Sequence, residues 1–294
     1  YVGMGKDLYQ SDSGVRQLYN LASSEIGEDV ARLSFEGSAE KLKETRFTQP
    51  AILLHSLAVL TIMKDKLPQA DLTAGHSLGE YGALAMAGVL SYEDALRAVI
   101  KRAALMEIAC RKNQGTMAAI MGLEEDKIVE ICHKASEKGI VVPANFNSSG
   151  QIVISGTTAG VEEACRLCRE QGAKRAMTIP VGGAFHSPLM EPAQKELEKF
   201  LEGITFQTAK IDIVPNVTAM ATKDAANLKK LLIEQLTSPV RWQQTMQFFK
   251  NHAIDRMIEV GPGKVLAGLA KRELEGAQIY NIDTLADIRN FGIG

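Results

Sequence analysis

Apolar residues along this chain keep two rhythms. After Ser91-Tyr92-Glu93-Asp94, which has the form of a capping box, they recur at Ala95, Val99, Ala103, Met106 and Cys110, the helical period, predicting a helix to about residue 111. Residues 50–64 are almost continuously apolar and predict a buried helix. Thr48 or Gln49 would be its N-cap, with Pro50 in the first turn, where a missing N–H costs nothing. Upstream, short helices around Leu8 and over 15–21 follow a Gly-Met-Gly turn at 3–5, and 38–45 reads as a charged helix. From Gly115 the units shorten: strand 116–121, helix 124–138, strands 140–146 and 151–155 around Asn147-Ser148-Ser149-Gly150, helix 157–171, strand 174–180. That βαββαβ order is ferredoxin-like and predicts a small subdomain at 115–181, inserted into a larger one made of 1–114 and 182–294. In the larger part, strands 211–215, 256–260 and 278–282 alternate with helices 188–201, 224–236, 240–251 and 264–275. Helices alternating with single apolar strands predict an α/β fold whose parallel sheet is covered on both faces.

Charge narrows the partners. With a net charge of -2 and a pI near 6.3, neither nucleic acid nor an anionic membrane is expected as the main partner. The longest apolar run, 51–63, is broken by His55 and Ser56 and falls short of the roughly 18 residues that span a bilayer, so a cytoplasmic protein is expected. The 4 cysteines form no framework of spacings and read as reduced thiols. Cys165 and Cys168 make a C-x-x-C, with Cys132 and His133 on the preceding helix. A metal or redox site would need that motif at a turn and a second ligand pair, so structural cysteines are the favoured reading and no metal is expected. Tyr1 is not a native start, and residues are expected to precede it.

The sharpest chemical signal is Gly75-His76-Ser77-Leu78-Gly79, a G-x-S-x-G after a strand-like run and before a helix ending at Gly88. In a strand-turn-helix elbow this spacing exposes the serine at the head of a parallel sheet, making Ser77 a candidate nucleophile. The same spacing also occurs in plain tight turns. Of the 5 histidines, His76 adjoins the serine and would point away from it, His55 lies in an apolar helix, and His133 and His252 sit among polar neighbours. His186, in a glycine-rich loop before a helix, is left as candidate base. No aspartate between Ser77 and His186 is clearly placed as the third member of a hydrolase triad. Arg102 borders the apolar stripe of its helix. It either snorkels to water or is a buried guanidinium suited to a carboxylate.

Seven motifs together resemble the malonyl-CoA:acyl carrier protein transacylase family and, through it, the acyltransferase domains of polyketide synthases. They are Gly75-His76-Ser77-Leu78-Gly79-Glu80, Thr48-Gln49-Pro50-Ala51, Arg102, Asn145, Ala184-Phe185-His186-Ser187, Glu234 to Trp242 and Glu259-Val260-Gly261-Pro262-Gly263. The resemblance implies a hydrolase-like parallel sheet with a ferredoxin-like insert, Ser77 as nucleophile, and His186 as base, oriented by a backbone carbonyl near Gln235. It implies that Arg102 binds the malonyl carboxylate, that the Leu78 N–H is an oxyanion donor, and that Gln49 and Asn145 line the pocket. Malonyl-CoA and acyl carrier protein would be the partners of a monomeric enzyme without a cofactor, and Lys174, Arg175, Arg241, Lys264, Lys271 and Arg272 are candidates for a basic docking rim. Leu78, Phe185 and Gly183 favour the discrete malonyl enzyme of fatty acid synthesis over polyketide versions. A serine thioesterase on the same turn and a docking module with a decayed site are the rival readings. The family also opens with a strand and a Phe-Pro-Gly-Gln-Gly-Ser-Gln loop carrying a second oxyanion donor, expected ahead of Tyr1.

Overall fold

Caps and glycines set many of the element boundaries in the computed structural model, which describes residues 1–292. Helix α1 (Lys6–Ser11) is followed by α2 (Ser13–Ile26), capped by the Asp12 carboxylate and closed by Gly27 at φ 77°, and by α3 (Val30–Glu36). The charged helix expected at 38–45 is only α4 (Ala39–Leu42). The chain instead restarts at Thr45, so α5 (Thr45–Met63) begins five residues before Pro50 and carries the proline inside it. The extra turn buries Phe47 and lets Thr48 Oγ1 donate to the Leu42 carbonyl at 2.6 Å, which offsets the lost proline N–H. Neither Thr48 nor Gln49 is the N-cap.

Strand β1 (Leu72–Thr73) leads through the serine turn into α6 (Gly79–Met86), and Ser91 Oγ caps α7 (Tyr92–Lys112) by accepting from the Asp94 N–H at 3.0 Å. Next come β2 (Thr116–Met121), α8 (Glu125–Ala135), β3 (Val141–Ser148), β4 (Gln151–Gly156), α9 (Thr158–Glu170) and β5 (Arg175–Ile179), in the order expected from the sequence. The four strands pair antiparallel in the order β3-β4-β2-β5. Alternation gives this sheet two apolar faces. Ala118, Ile120, Ile152 and Ile154 pack with α8, α9 and the buried Cys132, Cys165 and Cys168, while Met117, Ala144 and Val153 pack against Phe185, beside His186.

A 3-10 turn (Pro188–Met190) opens α10 (Glu191–Glu202). Then follow β6 (Asp212–Ile213), α11 (Ala225–Glu234), α12 (Trp242–Asn251), β7 (Arg256–Val260), α13 (Val265–Glu273), β8 (Gln278–Ile282) and α14 (Leu285–Asn290). Strands β7 and β8 match the expected bounds, whereas the strand expected at 211–215 is cut to two residues. Pro215 offers no N–H, and the Asn216 N–H is taken by the Glu80 side chain. The parallel strands form two pairs, β1 with β6 and β7 with β8, and not one continuous sheet among the described residues. A groove of about 1410 Å³ lies between β1 and β7, walled by Leu53 and Leu60 of α5 and Gly82 of α6. The largest apolar core joins α2, α5, α6, α7 and α10 behind the serine turn.

Candidate active site

The turn from β1 into α6 is held by close backbone packing. A Cβ on Gly75 would overlap the Gly79 carbonyl, so only glycine permits the approach. Ser77 takes left-handed backbone at φ 49°, a conformation that costs a non-glycine residue of order 1–3 kcal/mol. One side chain spans the turn. Asn216 Oδ1 accepts from the Ser77 N–H at 2.6 Å, and its Nδ2 donates to the Gly75 carbonyl at 2.7 Å.

Ser77 Oγ lies 2.8 Å from His186 Nε2, and His186 Nδ1 lies 2.8 Å from the Gln235 carbonyl. A carbonyl oxygen can only accept, so Nδ1 carries the proton and Nε2 is left to accept from the serine hydroxyl. His186 is 4% exposed and itself left-handed at φ 55°. Burial first, and then the Arg102 charge, pull its pKa down to about 3, which keeps the imidazole neutral.

Arg102 is 1% exposed and does not snorkel. Its Nη1 donates to Gln49 Oε1 at 2.5 Å, and its Nη2 to Ser77 Oγ at 3.0 Å and Gln235 Oε1 at 3.1 Å, while the guanidinium carbon sits 5.8 Å from the Tyr81 ring centroid. Among the described residues no carboxylate forms an ion pair with it, and its Nε has no partner. A buried guanidinium held by neutral oxygens beside a serine hydroxyl is poised for an anion.

Ser77, His186, Arg102, Gln49 and the Gln235 carbonyl thus converge. Leu78 follows the serine at the start of α6, and its N–H donates to no backbone acceptor among the described residues. Asn145 stands apart. It is 7% exposed in β3, next to the backbone bridge from Asn145 to Val240, and makes no hydrogen bond to Ser77, His186 or Arg102. The other histidines lie elsewhere: His55 donates to the Asp283 carbonyl at 2.8 Å, His76 Nε2 meets Asn147 Oδ1 at 2.9 Å, and His133 and His252 are exposed. Asn216, Glu80 and the Gln235 side chain are all buried here; Asn216 carried no signal in the sequence, while Glu80 and Gln235 lay within the family motifs but with no role for their side chains. The groove between β1 and β7 is not lined by Ser77, Arg102 or His186.

A family model described as an acyl transferase domain matches residues 1–287. The chain belongs to the acyl transferase domain family. Within that family it is 43% identical over 273 residues to the malonyl CoA-acyl carrier protein transacylase of Bacillus subtilis strain 168, covering 92% of this chain and 86% of that protein. It is 41% identical over 287 residues to the enzyme of the same name from Haemophilus influenzae, covering 97% and 92%. The crystal structure of an acyl carrier protein S-malonyltransferase from Vibrio cholerae superposes with a TM-score of 0.93 at 40% identity, covering 99% of this chain and 95% of that one. A malonyl-transacylase in complex with a type II polyketide synthase acyl-carrier protein gives 0.92 at 37%, covering 99% and 94%.

Proposed function

We propose that this acyl transferase moves a malonyl group from malonyl-CoA, through an ester on Ser77, to the phosphopantetheine thiol of an acyl carrier protein for fatty acid synthesis. The observation that carries the substrate is the buried Arg102 guanidinium, unpaired with any carboxylate among the described residues and 3.0 Å from Ser77 Oγ. Malonyl-CoA places a free carboxylate within reach of its own thioester, and Arg102 would take the first while Ser77 attacks the second. His186 Nε2 removes the hydroxyl proton as Oγ adds to the carbonyl, and its Nδ1–H stays on the Gln235 carbonyl. The Leu78 N–H stabilises the oxyanion. Collapse of the tetrahedral adduct expels the CoA thiolate, which takes the proton from His186. The carrier thiol then repeats the sequence in reverse. Gln49 fixes the guanidinium, and Asn145 is assigned a supporting place in the pocket wall.

Two further readings go with this one. Residues 115–181 form a ferredoxin-like subdomain, supported by the strand order β3-β4-β2-β5 and a separate apolar cluster, and 1–114 with 182–294 form a hydrolase-like catalytic unit around the two parallel pairs. The protein works as a cytoplasmic monomer. Among the described residues one helix is long and apolar enough to span a membrane, Thr45–Met63, and most of it is buried within the fold. Exposed Lys264, Lys271 and Arg272 at α13 suit an acidic carrier, as do Lys174 and Arg175, whereas Arg241 is drawn inward by its bond to the Val217 carbonyl at 3.0 Å.

Intact mass spectrometry after mixing with malonyl-CoA tests the function. A gain of one malonyl group is expected, absent in Ser77→Ala, and added carrier protein should discharge it as malonyl-carrier. Free malonate as the dominant product would make the enzyme a thioesterase.

A further inference from the structure

Glu80 lies on α6, three residues beyond Ser77, and is fully buried. Its Oε2 accepts from the Asn216 N–H at 3.0 Å and from Gln235 Nε2 at 2.8 Å, while Oε1, sealed from water, has no hydrogen-bond partner. The other end of the same Gln235 amide, Oε1, accepts from Arg102 Nη2 at 3.1 Å. A single amide therefore links a buried carboxylate to the guanidinium that faces the serine. Among the described residues Arg102 on α7 is the charged group acting on Glu80, the Tyr81 hydroxyl on its own helix is neutral, and burial keeps His186 neutral and holds His76 below the ordinary histidine value.

An empty site of this kind balances one cation with one anion. A substrate carboxylate on Arg102 adds a second anion to the same dry volume, and two buried carboxylates cannot both stay charged against one guanidinium without a large penalty. The incoming carboxylate would face the guanidinium fork directly, whereas Glu80 is held only by an amide and one peptide N–H. Glu80 is the weaker-held charge.

We infer that Glu80 is an exchangeable counter-ion, ionised when Arg102 faces an empty pocket and protonated on Oε1 when a substrate carboxylate occupies the guanidinium. The inference rests on the reading of Arg102 as the malonyl clamp. Loading then takes up a proton from solvent: malonyl-CoA, Ser77–OH and H⁺ give malonyl-Ser77, free CoA thiol and Glu80–COOH, with no other bond changed. Burial already raises Glu80 to about 7, against the opposing pull of the Asn216 N–H, the Gln235 amide and Arg102, so neutral pH lies where the exchange is visible.

The test is single-turnover loading in weakly buffered solution with a pH-indicator dye, the malonyl-enzyme being counted by intact mass in the same samples. At pH 7.5, after correction for the CoA thiol, which is about one-tenth ionised there, roughly half to one proton should disappear per malonyl-enzyme. Uptake should shrink toward zero by pH 5.5, where Glu80 already holds its proton, and Glu80→Gln should abolish it. Malonyl-enzyme formed without uptake at pH 7.5 overturns the exchange. So does uptake that persists in Glu80→Gln, or that grows as pH falls, the trend expected if His186 were the acceptor. The pH series on the unaltered protein decides the matter even if the variant does not fold. No mass gain at all would refute the acyl-transfer reading beneath it.

Discussion

Arg102 is stabilised in the free protein by contacts that a substrate would partly replace. Its bond to Ser77 Oγ at 3.0 Å occupies the space where an acyl group would form, and Gln49 and Gln235 hold the rest of the fork. Arg102→Ala should therefore lower kcat/KM for malonyl-CoA by about 10²–10³-fold, because a substrate carboxylate would be buried without its partner. Acetyl-CoA, lacking that carboxylate, should lose less than about tenfold, and steady-state assays with both donors measure the ratio. Equal losses would remove the carboxylate role. At this level the sequence was readable where local spacing dictates geometry, as in the turn at Ser77, whereas at Arg102, which borders the apolar stripe, it left snorkelling and burial both open and the fold buries the side chain. It was silent on Asn216, which closes the serine turn from 139 residues away. A single asparagine after a proline looks like any loop residue until the chain has folded. The His186–Gln235 contact was legible only through family resemblance, since nothing in the composition of residue 235 marks its backbone carbonyl as a partner.

Elements show the same division between local and distant causes. Strands β7 and β8 have the bounds expected of five apolar-rich residues between turns, and the α8 and α9 pattern places them within a few residues. Helix α5 defeated the local rule. A proline reads as a first-turn residue, yet burial of Phe47 outweighs one missing hydrogen bond and draws the start back to Thr45. Strand β6 is shortened because the Asn216 N–H serves Glu80 and not a ladder. The serine turn itself is the least tolerant joint. Gly75→Ala would drive a methyl group into the Gly79 and Glu80 backbone, so it should cost at least about 3 kcal/mol and appear as a lowered urea midpoint with loss of Ser77 acylation. Unchanged stability would mean that the elbow is looser than its contacts imply.

Across the whole molecule, buried titratable groups set opposing responses to pH. His55, His76 and His186 are all held below the ordinary histidine value, chiefly by burial. Each binds its proton less readily in the folded than in the unfolded chain, so the stability it contributes is present above about pH 6.5 and lost as pH falls. Glu80 has the opposite sign. Its carboxyl is raised from 4.5 to about 7, so its contribution is complete below pH 4.5 and lost as pH rises through 7. Between these limits Glu80 offsets about one histidine. Urea midpoints should therefore fall from pH 7 to pH 5, and Glu80→Gln should steepen that fall by about 1.4 kcal/mol per pH unit. A slope unaltered by the substitution would show that Glu80 stays ionised across this range.

The thiols, three buried and Cys110 half-buried, carry a practical consequence. Burial raises Cys110 and Cys168 to about 11 and Cys132 to about 12, and lifts Cys165 as well, so almost no thiolate exists at neutral pH. An aromatic disulfide reagent should react slowly with the native protein and rapidly with all 4 thiols once urea unfolds it. Prompt reaction of the native form would contradict that protection. A cysteine introduced at an exposed position of α9 would then be the dominant reactive handle, and a fluorophore attached there could follow carrier docking with every native sulfur left in place.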